Sequence, residues 1–232
     1  QRFKYFKRYK KFNTISKSNR KINILNTLMT NFKLGILASN HGSNLQAIID
    51  ACDSGIIQAE VSIVISNNSK SMALKRSNKK NIPSFHISNH THPDPHLQDI
   101  AINKTLKDHN VNLVILAGYM KKLGPLVLKH YKRKIINIHP SLLPKYGGKG
   151  MYGMLVHREV IKSKEKITGI SIHIVEEEYD SGPIIDQIKI PIDKNENAES
   201  LSKKISQIEH DFYVKTIGEI ITGQIDLNSY YN

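Results

Sequence analysis

An α/β three-layer fold, with a mostly parallel central sheet and an antiparallel extension toward the C-terminus, is predicted for this chain by three observations. Short apolar runs alternate with stretches of helical spacing from Lys33 onward. The early runs are apolar throughout, which is the mark of parallel strands covered on both faces. Two later runs change character: the first alternates, and the pair reads as antiparallel strands added to one edge.

The elements follow in order. Lys33 to Ala38 (KLGILA) is the first strand, and it ends in Ser39-Asn40-His41-Gly42-Ser43-Asn44. Leu45, Ile48, Ile49 and Cys52 then fall at i, i+3, i+4 and i+7, a helix stripe. Val61 to Ile65 is a second buried strand, closed by Ser66-Asn67-Asn68. Ser71 to Lys80 reads as a helix and Ile82 to Ile87 as the third strand. Asp99 to His109 is helical, Leu113 to Ala117 is the fourth strand and Ile135 to Ile138 the fifth. In Thr168 to Val175, Ile170, Ile172 and Ile174 face one way and Ser171, His173 and Val175 the other. Ile184 to Ile190 is the last strand, and a final helix runs from Asn197 through Leu201, Ile205, Ile208 and Phe212. No internal repeat and no second domain is visible.

Composition narrows the function classes. The 232 residues suffice for one domain with a full core. No apolar run reaches the roughly 18 residues of a membrane span, so no membrane partner is expected. The single cysteine, Cys52, excludes an intramolecular disulfide and reads as a structural thiol on a helix face. The net charge of +14 suggests nucleic acid, but residues 1 to 33 hold ten Lys or Arg and no Asp or Glu. The rest of the chain carries 24 basic and 20 acidic residues. That mild surplus suits an enzyme for anionic small molecules as well as a nucleic-acid binder. Residues 1–32 therefore read as a disordered basic extension ahead of a single domain at 33–232. Three readings of the extension stand: an organelle transit peptide, sequence upstream of a true start at Met29, or a basic arm for RNA with Phe3, Tyr5, Phe6, Tyr9 and Phe12 interleaved. The expected location is the cytoplasm, or an organelle if residues 1–28 are a transit peptide.

The chemistry concentrates in a few places. In Asn137-Ile138-His139-Pro140-Ser141-Leu142-Leu143-Pro144, Asn137 and His139 are two apart and project from one face of a strand. An amide donor beside a group that titrates near neutral pH suits a reaction that makes an oxyanion and moves protons. Asp180, in the Glu177-Glu178-Tyr179-Asp180-Ser181-Gly182-Pro183 bend, is placed to face His139 and favour its imidazolium; the bland alternative is a turn cap. Gly42, Ser43 and Asn44 sit between the first strand and helix, where free N–H groups attract anions. Taken alone they make an ordinary capped turn. His86, His90, His92 and His96 crowd one Pro-containing loop without a cysteine, so a solvated loop is favoured over a metal site. Gly147 to Gly153 holds four glycines and reads as a lid or a flexible surface loop. Glu209 either reaches a ligand amine or is an exposed helical carboxylate.

Five segments in order, Ser39 to Gln46 (SNHGSNLQ), Leu116 to Met120 (LAGYM), Asn137 to Pro144 (NIHPSLLP), Tyr179 to Pro183 (YDSGP) and Glu209-His210 with Tyr213, resemble the folate-dependent glycinamide ribonucleotide formyltransferases. The resemblance runs from about Lys33 to Gln224 and implies a Rossmann-like formyltransferase domain. It implies a catalytic trio of Asn137, His139 and Asp180, and phosphate binding by Gly42, Ser43 and Asn44. Glu209 would contact the nucleotide substrate. Leu116, Met120, Lys121, Leu123, Ile135, Glu176 and Tyr179 would shape the folate pocket. The co-substrate would be 10-formyltetrahydrofolate, with no metal, small-molecule partners only, no nucleic acid, and a monomer or homodimer. In the chemistry so implied, the Asn137 amide and a protonated His139 stabilise the oxyanion, and Asp180 supports the imidazolium and positions a proton-shuttling water.

The chain departs from the pattern in three places. The Gly-rich run follows Lys145 where many members have a shorter Pro-Gly-x-His-x-His stretch; His157 matches one His and Leu155 occupies the other position. An Arg that helps bind phosphate in some members falls near Pro95-His96, and His96 is the expected substitute. Val214 stands where a Pro often follows the last-helix Tyr. Methionyl-tRNA formyltransferases share the Asn-x-His-Pro-Ser-Leu-Leu-Pro core but add a tRNA-binding domain. Formyltetrahydrofolate deformylases add an N-terminal regulatory domain. The turn at Ser39 to Asn44 favours a nucleotide substrate over both.

Overall fold

The computed structural model describes residues 32–231. The basic extension, residues 1–31, lies outside the described residues. Phe32, counted with it above, instead belongs to the domain: it is half-buried against the core, and its carbonyl accepts the Glu60 N–H.

The strands are β1 (Lys33–Leu37), β2 (Glu60–Ser66), β3 (Ser84–His86), β4 (Leu113–Leu116), β5 (Ile135–His139), β6 (Ile167–Ile174) and β7 (Ile184–Pro191). The helices are α1 (Ser43–Asp53), α2 (Met72–Lys79), α3 (Pro95–Asp108), α4 (Pro125–His130), α5 (Met154–Lys162) and α6 (Ala198–Ile221), followed by a 3-10 turn at Leu227–Tyr231. One seven-stranded sheet has the order β3-β2-β1-β4-β5-β6-β7. β1 to β5 pair in parallel, while β5–β6 and β6–β7 pair antiparallel. The direction of winding switches between β1 and β4, where crevices open at the carboxyl ends of strands.

Period-two alternation divides the core. Leu34 and Ile36 of β1, Ile115 of β4, Ile136 and Ile138 of β5 and Ile170, Ile172 and Ile174 of β6 enter one cluster, covered by α1, α5 and α6. Leu37, Val114, Leu116 and Ile135 enter the other with Ile102 and Leu106 of α3 and Val127 of α4. Gly35 faces this second layer because a Cβ there would lie 2.7 Å from Leu106 Cδ2. Each layer closes by removing branched aliphatic surface from water, about 25 cal/mol per Å2.

Two helices escaped the sequence reading. α4 is only six residues, opened by Pro125, and its first N–H groups are satisfied from a distance: buried Asp99 of α3 accepts from Leu126 N at 2.7 Å and Val127 N at 3.1 Å. α5 follows the Gly-rich run and buries Val156, His157 and Val160. β6 keeps the alternation read from its residues. Ser171 and His173 do face away from the isoleucines, but both are buried, so β6 is covered on both faces.

Candidate active site

Alternation along β5 sends Ile136 and Ile138 into the first layer and leaves Asn137 and His139 on the opposite face with Ile135. The antiparallel register then sets His173 of β6 directly across from Asn137, and Ser171 across from His139. Helices α3 and α4 supply the second layer as far as Ile135. Beyond it the face carries polar groups, met by the 175–183 connection and the start of the Gly-rich run.

Asp180 enters from that connection with a left-handed φ of 55°. Its Oδ1 accepts from Asn137 Nδ2 at 3.5 Å and lies 3.4 Å from His173 Nε2. Its Oδ2 accepts from the Gly148 N–H at 2.8 Å and stands 3.5 Å from His139 Nδ1. His173 Nδ1 lies 2.9 Å from the Ile174 carbonyl, which can only accept, so Nδ1 carries the proton. Its Nε2 lies 3.1 Å from Asn137 Nδ2, on the same side as Asp180. The amide is thus oriented by a histidine and a carboxylate together. Sequence reasoning noted His173 as a strand residue and missed this role, because cross-strand register is not written in spacing.

His139 Nε2 donates to the Tyr146 carbonyl at 2.7 Å. With that proton on Nε2, Nδ1 faces Asp180 bare unless the ring is charged. Burial lowers the His139 pKa below its ordinary value and His173 adds to this, against the opposing pull of Asp180 and the Tyr146 carbonyl. Burial thus works against the imidazolium while Asp180 and the Tyr146 carbonyl work for it. Burial alone would raise Asp180, but its contacts with His173, His139 and the Gly148 N–H hold the carboxyl below its usual range. The net arrangement is an oriented amide and two imidazoles gathered around one carboxylate. His157 is buried behind them, its Nδ1 without a partner among the described residues, and burial with proximity to His139 brings its pKa down to about 4.

The Ser39–Asn44 turn leaves β1 at the neighbouring crevice. Gly42 caps α1 with φ 65°, and the first intrahelical bond is Gln46 N–H to the Gly42 carbonyl. The N–H groups of His41 through Leu45 find no acceptor among the described residues. α1 has no acidic residue in its first turn, so the helix end is open to an anion. Glu209, expected as either ligand contact or surface carboxylate, is half-buried on α6 and accepts from Asn44 Nδ2 at 3.5 Å. Burial pushes its carboxyl up to about 7, with the Asn44 bond opposing. Asn44 Oδ1 is buried with no partner among the described residues. One turn on, Tyr213 ties the β4 and β5 ends together, donating to the Leu116 and Ile136 carbonyls at 3.2 and 3.1 Å.

Of the residues expected around a folate, Leu116, Leu123 and Ile135 are buried in the second layer, while Met120 is half-buried beside them in the chain. Lys121 is exposed, as are Glu176 and Tyr179 in the connection that carries Asp180. His96 stands exposed in the first turn of α3, its N–H held by Asp94, and none of its described hydrogen bonds reaches Gly42–Asn44. Among the described residues no three His, Cys, Asp or Glu side chains are grouped to hold a metal ion. Cys52 is half-buried, and burial with Asp53 pushes its thiol up to about 12, away from nucleophilic thiolate.

Residues 32–217 match the family described as formyl transferase. The chain belongs to the formyl transferase family. It is 36% identical over 195 residues to the phosphoribosylglycinamide formyltransferase of Haemophilus influenzae, covering 84% of this chain and 90% of that one. It is 32% identical over 193 residues to the Escherichia coli enzyme of the same name, covering 83% and 89%. Among solved structures, the glycinamide ribonucleotide transformylase 1 of Symbiobacterium toebii superposes with a TM-score of 0.79 at 32% identity, covering 85% of this chain and 91% of that one. Other relatives are longer. The chain spans 14% of the trifunctional purine biosynthetic protein adenosine-3 of Chironomus tentans and 59% of the chloroplastic phosphoribosylglycinamide formyltransferase of Vigna unguiculata. A formyltetrahydrofolate deformylase from Pseudomonas syringae shares the fold at 22% identity. Within this formyl transferase domain, Asn137, His139, His173 and Asp180 form a polar cluster that draws side chains from β5, β6 and the β6–β7 connection together.

Proposed function

We propose that this chain transfers the formyl group of 10-formyltetrahydrofolate to the amine of glycinamide ribonucleotide, a step of de novo purine biosynthesis. The carrying observation is the Asn137–His139–His173–Asp180 cluster beside the open N-terminus of α1. One supplies groups for acyl transfer; the other supplies a seat for a phosphate. Leu116, Met120, Lys121, Leu123, Ile135, Glu176 and Tyr179 would hold the folate, and Gly42, Ser43, Asn44 and Glu209 the nucleotide.

The substrate amine attacks the formyl carbon, a C–N bond forms, and the carbonyl oxygen becomes an oxyanion. Asn137 Nδ2 donates to that oxygen. His139, protonated from solvent before attack, donates its Nε2–H to the same oxygen, whose developing negative charge favours the imidazolium. Its Nε2–H must exchange the Tyr146 carbonyl for the oxyanion, which couples the Gly-rich segment to the chemistry. Asp180 supports the charged ring through Nδ1 and positions the water that carries the amine proton toward N10. The tetrahedral intermediate then breaks its bond to N10, which leaves protonated as tetrahydrofolate.

The test is formyl transfer by purified protein with both substrates, followed by the absorbance of the folate product, with Asp180→Asn alongside. Nucleotide-dependent turnover that the variant loses supports the reading. Formate release without nucleotide would replace it with deformylation.

A further inference from the structure

We infer that Arg76 of α2 is a positioning residue for the nucleotide phosphate: it turns backbone N–H groups of the Ser39–Asn44 connection toward the anion. The inference rests on the nucleotide reading above and assigns a role to a residue outside every motif that suggested it.

α2 docks directly on this connection. The Ala73 N–H donates to the Asn40 carbonyl at 3.2 Å, and a Cβ on Gly42 would lie 3.0 Å from Ala73 Cα. Arg76 Nε donates to the next carbonyl, that of His41, at 2.9 Å. A trans peptide points its C=O and N–H in opposite directions. Drawing the Asn40 and His41 carbonyls toward α2 therefore turns the His41 and Gly42 N–H groups away from it. α2 follows β2, and β2 and β4 flank β1 on opposite sides. The turned N–H groups thus face the β4 side, and neither has an acceptor among the described residues. They extend the free N–H groups at the start of α1 into one concave anion seat.

The guanidinium is itself held in place. Arg76 Nη1 donates to Gln46 Oε1 at 3.0 Å, and Gln46 Nε2 donates to Asp50 Oδ1 at 2.9 Å, which fixes which end of the Gln46 amide meets the arginine. The α1 carboxylates Asp50 and Asp53 pair with Lys80 at 3.9 and 2.7 Å, leaving the guanidinium to the connection. A planar fork that grips a carbonyl and an amide oxygen at once is a geometry lysine cannot copy.

The test uses Arg76→Met with two substrates, glycinamide ribonucleotide and its dephosphorylated riboside. The nucleotide KM is expected to rise about tenfold or more, with kcat and the folate KM nearly unchanged. The riboside kcat/KM should stay at the wild-type value, so the preference for the phosphorylated substrate collapses. Equal losses with both substrates, or a lower melting temperature with an unchanged nucleotide KM, would overturn the inference. Arg76→Lys serves for the same ratio if the methionine variant does not fold. Absence of formyl transfer in the wild type would count against the nucleotide reading instead, and inorganic phosphate protection would still be compared: wild type should gain thermal stability from it and Arg76→Met should not.

Discussion

The Ser39 hydroxyl accepts the Met120 N–H at 2.8 Å and donates to Asn67 Oδ1 at 2.5 Å. One buried oxygen thus joins the connections that leave β1, β2 and β4. Its own carbonyl takes a further bond from Asn68 Nδ2 at 3.2 Å. Ser39→Ala leaves two half-buried partners without their bond, a loss of about 1–3 kcal/mol. The expected outcome is a lower midpoint in urea unfolding together with higher KM values for both substrates. A change confined to one KM would show that the three connections move independently.

Replacing His139 or Asn137 by Ala removes one oxyanion donor, which typically costs about 3–4 kcal/mol. Turnover should fall by two or more orders of magnitude while circular dichroism stays that of the wild type. Near-wild-type turnover in either variant would sink the assigned roles.

Glu209 gives the nucleotide a pH dependence. Its carboxyl is pushed up to about 7, so it is neutral below that pH and charged above it. A substrate amine or hydroxyl donates better to the carboxylate. The nucleotide KM should therefore fall as pH rises through 7, and Glu209→Gln should flatten that step. A KM that rises instead would mean the neutral carboxyl, as donor, is the binding form.

His157 ties acid stability to the same neighbourhood. Its folded pKa of about 4 lies below the ordinary 6.5 of an unfolded histidine, so it stabilises the fold above that unfolded value. That contribution shrinks as pH falls from 6.5 and is gone below about 4. Unfolding midpoints measured from pH 7 to 4 should drop, and His157→Gln should drop less steeply. Parallel curves would place the acid sensitivity elsewhere.

Asp99 is a structural carboxylate remote from the chemistry. Asp99→Ala frees two N–H groups of α4 and should cost about 1.5–3 kcal/mol in chemical unfolding. Activity at low temperature should survive. A large kcat loss in the folded variant would mean that α4 sets the site directly.

Much of this was legible in the residues. β1, β4 and β5 announced themselves because parallel strands buried on both faces must be apolar throughout. The Asn137–His139 pair was readable because a strand puts i and i+2 on one face. His173 was not, since its meeting with Asn137 depends on the register of β6 against β5. The approach of Asp180 to His139 can be guessed from chain order, whereas the desolvation that opposes a charged ring cannot. α4 went unseen because six residues carry little periodicity, and its stabilising partner lies 27 residues upstream at Asp99. Arg76 gave no signal at all: a basic residue on an amphipathic helix looks solvated until the carbonyl it grips is known.

The Gly-rich run touches the polar cluster through main-chain atoms, the Tyr146 carbonyl on His139 and the Gly148 N–H on Asp180. Every amino acid but proline offers the same two groups. Side chains at the exposed positions 149 and 152 are therefore free to vary provided the path of the chain is kept, whereas Tyr146 donates to Glu165 at 3.0 Å and packs with Met151 against the core. That path asks for a positive φ at Tyr146, Gly148, Gly150 and Gly153, so composition is constrained where letters are not. Grafting the segment into another scaffold would transfer its two contacts without transferring any recognisable signature.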